Sequence, residues 1–324
     1  MTAENKRIYI HDVTLRDGFQ IEPNFIATEE KVSLINRLSR TGLAKIETTS
    51  FTSPQAIPNL RDAEQVMRQI ERVPGVVYAV LVPNLKGCKR ALACQVDEIN
   101  LVMSASQSHN QVNLRMTCEQ SLGQFREIAE LATRSSIFVN GSISTAFGCP
   151  FEGRIPESRV LELIRQLLDT GIQGVTLCDT TGMANPEQVR RLCEAALGRW
   201  PEVPFTLHFH NTRGMGLANV VSALGAGLCR FDASLGGVGG CPFVPDATGN
   251  ICTEDLVHML EEMGCNTAVE LDTLIEIARD LPAIVGHDVP GQIMKAGKAD
   301  RKYSRPEWIV NPKEPVALAD SRTD

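Results

Sequence analysis

Eight short apolar runs rich in β-branched residues, at residues 8–13, 45–50, 76–82, 98–102, 137–144, 174–179, 205–210 and 230–235, recur along the chain with helical patterns between them. Parallel strands need crossover helices, and eight strand–helix units in 324 residues predict a closed (β/α)8 barrel. Helices are expected at 28–41, 62–71, 117–132, 157–170, 186–197 and 216–226. The fifth of these begins with Asn185 as N-cap and Pro186 at its first position. A doubly wound open sheet is the rival architecture, but no G-x-G-x-x-G follows the first strand. No Gly/Ser linker or low-complexity block interrupts the pattern. The reading is therefore one barrel domain over residues 1–300, elaborated by helices beyond about Gly264, with residues 301–324 an extended or mobile tail.

Charge narrows the function classes. A net charge of -7 without a concentrated basic face argues against a nucleic-acid grip, whereas a few local Arg or Lys side chains suffice for an anionic small molecule. The ten cysteines are scattered with no C-x-x-C pair, which fits a reducing cytoplasm better than a disulfide framework. No cleaved presequence is expected ahead of the strand near Ile8, and no apolar run is long enough to span a bilayer.

In a (β/α)8 barrel the active site lies at the C-terminal ends of the strands, and the informative residues fall there. The seventh run ends in Leu207-His208-Phe209-His210-Asn211; side chains alternate along a strand, so His208 and His210 face one way, within reach of one divalent cation. The bland alternative is two ordinary hydrogen-bonded histidines. The first run ends in Arg16-Asp17-Gly18-Phe19-Gln20, by itself only a charged turn, but with the histidines Asp17 completes an N/O donor set for a borderline or hard metal. The second run carries Glu47 and the sixth ends in Asp179-Thr180. After the eighth comes a glycine-rich loop, 236–243, carrying Cys241, followed by Thr248-Gly249-Asn250. Such a loop can approach a ligand closely or move, with Cys241 a proton donor; otherwise its glycines make tight turns and Cys241 is an inert thiol.

R-D-G-x-Q, I-E-T-T-S-F, P-N-L-K-G, G-C-P-F-E-G, H-x-H, G-G-V-G-G-C-P and T-G-N-x-x-T-E-D-L occur in that order. Over roughly Ile8 to Asn266 the chain thus resembles the 3-hydroxy-3-methylglutaryl-CoA lyases, members of a metal-dependent lyase and synthase group of barrels. The opening D-V-T-L-R-D-G also looks like that of the isopropylmalate synthases, but the cysteine-bearing glycine loop is particular to the lyases. The resemblance implies Mg or Mn held by Asp17, His208, His210 and Asn250, an enolate-stabilising Arg16, and further catalytic positions at Glu47 and Cys241. It also implies an acyl-CoA thioester as partner and a homo-oligomer, dimer or tetramer.

Cleaving a β-hydroxy thioester needs a base for the hydroxyl, a cation to acidify it, and a positive group where enolate charge develops. Asp17 or His208, the metal and Arg16 would supply these in turn, with Cys241 or a metal-site acid reprotonating the enolate. Asn84 and Lys86, after the third strand, are candidates for contacting coenzyme A. Asp12, Gln20, Asn140, Asp179, Thr180 and Arg213 are candidates for setting acyl preference. Among these, Asp12 stands where the lyases usually have Glu, Asn140 where an arginine is expected, and Arg213 where they have Tyr. The default substrate is 3-hydroxy-3-methylglutaryl-CoA, cleaved to acetyl-CoA and acetoacetate. The alternatives are citramalyl-CoA, giving pyruvate, and a non-catalytic acyl-CoA-binding barrel.

Overall fold

Every one of the eight runs forms a strand: β1 (Tyr9–Asp12), β2 (Lys45–Ser50), β3 (Val77–Leu81), β4 (Glu98–Ser104), β5 (Phe138–Ser144), β6 (Gly174–Asp179), β7 (Phe205–Phe209) and β8 (Arg230–Ala233). In a computed structural model that describes residues 7–240 and 249–306, they close in chain order into a parallel barrel. The seam pairs β1 with β8, from Tyr9 opposite Arg230 to Asp12 opposite Ala233. Around the barrel run α1 (Thr28–Leu38), α2 (Ala63–Gln69), α3 (Leu85–Leu92), α4 (Gln107–Leu114), α5 (Cys118–Arg134), α6 (Glu157–Leu168), α7 (Pro186–Arg199) and α8 (Gly216–Gly225). Then follow α9 (Thr253–Glu262), α10 (Leu271–Val285) and the short α11 (Ile293–Ala296). α10 packs against α1 and buries Leu274, Ile277, Ala278 and Leu281. Residues 301–306 carry no regular structure, and 307–324 lie outside the described residues.

Neither α3 nor α4 is among the helices expected from the sequence. α3 starts inside P-N-L-K-G, where Asn84 caps it by accepting from the Gly87 amide at 2.9 Å. α4 has no continuous apolar stripe, and the Ser106 hydroxyl fixes its start by accepting from the His109 amide at 3.0 Å.

Alternation sorts the strand residues into two layers. Ile46, Val80, Ile99, Leu101, Val139, Val175, Leu177, Leu207 and Phe231 are buried in the apolar core, each contributing on the order of 2 kcal/mol. The opposite phase points inward and is polar: His11, Lys45, Glu47, Glu98, Asn100, Asn140, Thr176 and Asp232 surround a cavity of about 10 Å³, room for roughly one water. Charges there are paired, Lys45 with Glu98 at 2.5 Å and His11 with Asp232 at 3.0 Å, as burial requires.

Outside the barrel, the Glu254 carboxylate in the first turn of α9 is buried, and accepts from the Gly236 amide at 3.1 Å. Burial pushes its pKa up to about 7 from an ordinary 4.5. The folded state thus binds a proton that the unfolded chain releases, so this contribution to stability is full below about pH 4.5 and is lost as pH rises through about 7. Glu254→Gln is expected to lessen the fall in melting temperature between about pH 5 and pH 8. An identical fall in both proteins would refute this account.

Candidate active site

The site is built at the C-terminal mouth of the barrel from three segments. After β1 the chain makes one wide π-type turn over Thr14–Gly18, in which the Val13 carbonyl accepts from the amides of Asp17 at 2.8 Å and Gly18 at 3.2 Å. The turn brings Arg16 and Asp17 into the mouth, both buried. Gly18 is required there, because a Cβ would stand 2.6 Å from the Val238 side chain. The second segment is β7 with its extension: His208 and His210 share a face, their Nε2 atoms 3.1 Å apart. The third, 249–251, runs antiparallel along the end of β7, with Asn250 bridged to His210 and the Ile251 amide donating to the Phe209 carbonyl at 3.0 Å.

Asp17 joins all three. Its Oδ2 lies 3.6 Å from His210 Nε2, 4.0 Å from His208 Nε2, and accepts from Asn250 Nδ2 at 2.8 Å. Its Oδ1 accepts from Arg16 Nη1 at 2.5 Å and Gln20 Nε2 at 3.0 Å. Burial opposes ionisation of Asp17, but the Arg16 guanidinium and the histidines outweigh it and hold the carboxyl well below the usual carboxylate range. Arg16 also donates from Nε to Glu47 Oε2 at 2.5 Å, which leaves Nη2 without a hydrogen bond among the described residues.

The donor chemistry fits a divalent cation. A carboxylate and two imidazoles have ligand atoms within 4.8 Å of one another, and the buried Asn250 Oδ1 has no hydrogen-bond partner among the described residues. A buried carbonyl oxygen without a donor costs free energy unless something electropositive faces it. N and O ligands with positions to spare suit a borderline or hard divalent metal.

His208 has a partner that sequence reasoning missed. Its Nδ1 lies 3.3 Å from Asp232 Oδ2, whose other oxygen is 3.0 Å from His11 Nδ1. With Nδ1 donating, Nε2 presents its lone pair to the site. Burial works against the Asp232 carboxylate, but hydrogen bonds from the two histidines hold its pKa low. The one signal was an acidic residue in the inward phase of the eighth run. Asp232→Asn is expected to weaken manganese binding about 10- to 100-fold, read by titration calorimetry. Unaltered affinity would remove the orienting role.

The remaining candidates scatter. Gln20 touches Asp17 as described. Asp12 faces away from the barrel interior; its carboxylate accepts from the Thr14 amide at 3.0 Å and the Thr253 hydroxyl at 2.9 Å, and burial pushes its pKa up to about 6. Asp179 accepts from the amides of Met183 at 2.7 Å and Ala184 at 3.0 Å, closing the turn after β6, and burial pushes its pKa up. Thr180 accepts from the Thr145 amide at 3.0 Å. Arg213 is exposed and donates to the carbonyls of Thr181 at 2.8 Å and Gly182 at 3.0 Å, so it neither reaches a carboxylate nor hangs free. Asn140 lies deeper in the barrel, beside Asn100 and Thr176. Asn84 and Lys86 are exposed, Asn84 being occupied as the α3 cap. Cys241 lies outside the described residues, so its role as proton donor rests on resemblance alone.

Comparison with known proteins gives consistent matches. The family model described as HMGL-like matches residues 7–281. The hydroxymethylglutaryl-CoA lyase YngG of Bacillus subtilis is 44% identical over 294 residues, 91% of this chain and 98% of that protein. The (R)-citramalyl-CoA lyase of Chloroflexus aurantiacus is 39% identical over 300 residues, covering 90% of this chain and 95% of that protein. A solved structure of an HMG-CoA lyase from Acinetobacter baumannii, in complex with coenzyme A and 3-methylmalate, superposes with a TM-score of 0.90. It is 51% identical and covers 94% of this chain and all of that one.

Proposed function

The chain belongs to the HMGL-like family, and from that premise we propose that its barrel mouth is the active site of a metal-dependent acyl-CoA lyase. The protein is a carbon–carbon lyase that cleaves a 3-hydroxyacyl-CoA in the retro-Claisen sense to acetyl-CoA and a keto acid. With 3-hydroxy-3-methylglutaryl-CoA as default substrate the keto acid is acetoacetate. The observation that carries the reading is the convergence of Asp17, His208 and His210 beside an Asn250 carbonyl oxygen that has no partner among the described residues.

Asp17, His208, His210 and Asn250 would hold the cation, with magnesium or manganese proposed. When bound, it supplies Lewis acidity to the substrate's tertiary hydroxyl. The chain's own groups carry the proton and the charge. Asp17 Oδ2, a carboxylate oxygen that keeps a lone pair beyond one ligand bond, accepts the hydroxyl proton, and the oxygen's electron pair forms the ketone as the neighbouring carbon–carbon bond breaks. The electrons of that bond become the enolate of acetyl-CoA, which takes a proton at carbon, from Cys241 or from the acid that the base has just become, to give acetyl-CoA. Arg16, held by Glu47 and Asp17, offers its unused Nη2 to the enolate oxygen.

Citramalyl-CoA is a second reading, favoured by the 39% identity to the Chloroflexus enzyme over nearly its whole length. Incubating the protein with manganese or magnesium and both thioesters, and following acetyl-CoA with acetoacetate or pyruvate, decides between them. Release of neither keto acid would defeat the functional reading. A cytoplasmic setting is proposed on the cysteines: all nine in the described residues are free thiols. No described helix is long and apolar enough to cross a membrane.

A further inference from the structure

Below the mouth, the barrel interior holds a run of amides that the chemistry above leaves unexplained. Glu47 on β2 and Asn100 on β4 are separated by β3, whose inward residue at that level is Ala79, in register with Glu47. Only a methyl group stands between them, so Asn100 Nδ2 reaches across to donate to Glu47 Oε1 at 2.9 Å. Asn100 Oδ1 in turn accepts from Asn140 Nδ2 at 3.0 Å and from the Ser142 hydroxyl at 2.7 Å. Asn140 Nδ2 gives its second hydrogen to the Thr176 hydroxyl at 2.9 Å. Its register partner on β6 is Gly174, where a Cβ would crowd Asn140 Oδ1 at 3.0 Å. Glu47, Asn100, Asn140, Ser142 and Thr176 are all buried.

The direction of these bonds is fixed by counting. An Asn100 amide turned over would aim its NH2 at the Asn140 donor and its oxygen at the Glu47 carboxylate, losing the bonds to both. Asn100 therefore has one orientation, and Glu47 has both oxygens engaged, Oε1 by Asn100 and Oε2 by Arg16 Nε. We infer that Asn100, oriented by Asn140 and Ser142, is a positioning residue that fixes Glu47 and, through it, the plane of the Arg16 guanidinium. The inference rests on the reading that Arg16 meets the enolate, and it explains why an asparagine serves at position 140: its work is done inside the barrel, two side chains away from the guanidinium.

The test replaces Asn100 with a residue of similar size and no donor. Asn100→Leu is expected to lower kcat about 10- to 100-fold, the scale of a small misplacement of a reacting group, with KM and manganese affinity within about twofold of the parent. With arginine labelled by nitrogen-15, the Arg16 Nε–H resonance, identified by its absence in Arg16→Lys, should shift and exchange faster with solvent. Asn140→Ala, one link further off, should move both readouts the same way by less, and serves if Asn100→Leu does not fold. An unchanged kcat with an unchanged Arg16 resonance, or a loss confined to KM, overturns the inference. A parent protein that releases no acetyl-CoA defeats the functional reading instead, and the resonance still decides the positioning.

Discussion

His208→Ala and Asp17→Ala will each lower turnover by roughly 10³-fold or more, because each removes one of the groups proposed to hold the cation. The two variants differ in what else they disturb. His208 is oriented by Asp232 and otherwise meets only His210 and, at 4.0 Å, Asp17, so its loss leaves the Arg16–Asp17–Gln20 cluster in place and the fold nearly as stable as the parent. Asp17 accepts from Arg16, Gln20 and Asn250 at once, so its loss releases three donors and should cost stability as well as activity. Chelation should abolish turnover reversibly, and manganese titration should show tight binding only in the parent. Full acetyl-CoA release by the chelated parent would sink the metal assignment.

Arg16→Gln is the second large effect, with kcat expected to fall about 10²- to 10³-fold while metal affinity changes little, the scale of losing a preorganised donor at developing negative charge. Arg16→Lys should not restore it. An ammonium is a compact point charge, and it cannot keep the two carboxylates of Glu47 and Asp17 in a fixed fork while presenting a third donor. Steady-state kinetics at saturating manganese separate the cases, and a lysine variant within about twofold of the parent would return Arg16 to a purely structural pairing.

The barrel was legible because apolar, β-branched-rich runs recur eight times with helical patterns between them. Parallel strands buried on both faces usually read as continuous apolar runs. Here Lys45-Ile46-Glu47 and Glu98-Ile99-Asn100 put polar groups into the interior and aliphatics against the helices, so these two runs alternate, whereas 76–82 is apolar throughout. The same property hid part of the site: a polar residue in alternating phase looks like a solvated one, and Asp232, His11 and Asn100 went unremarked for that reason. Asp12 was a candidate through the resemblance, as the position where the lyases usually have Glu, but its phase turns it toward Thr253. Arg16, Asp17, His208 and His210 could be found because their motifs sit at strand ends. The π-type turn that carries the first two has no sequence signature of its own, and only the contact of Gly18 with Val238 accounts for its glycine.

The seam between β1 and β8 has a consequence for a chain being made. Asp17 leaves the ribosome early, while Asn250, which it meets in the finished barrel, follows 233 residues later. Until the last strand–helix unit has emerged, the first strand has an open edge and Asp17 lacks its amide partner. A cation held there would rivet the two ends of the barrel together, so its capture would come last, and a half-made copy would lack the proposed grip on the thioester.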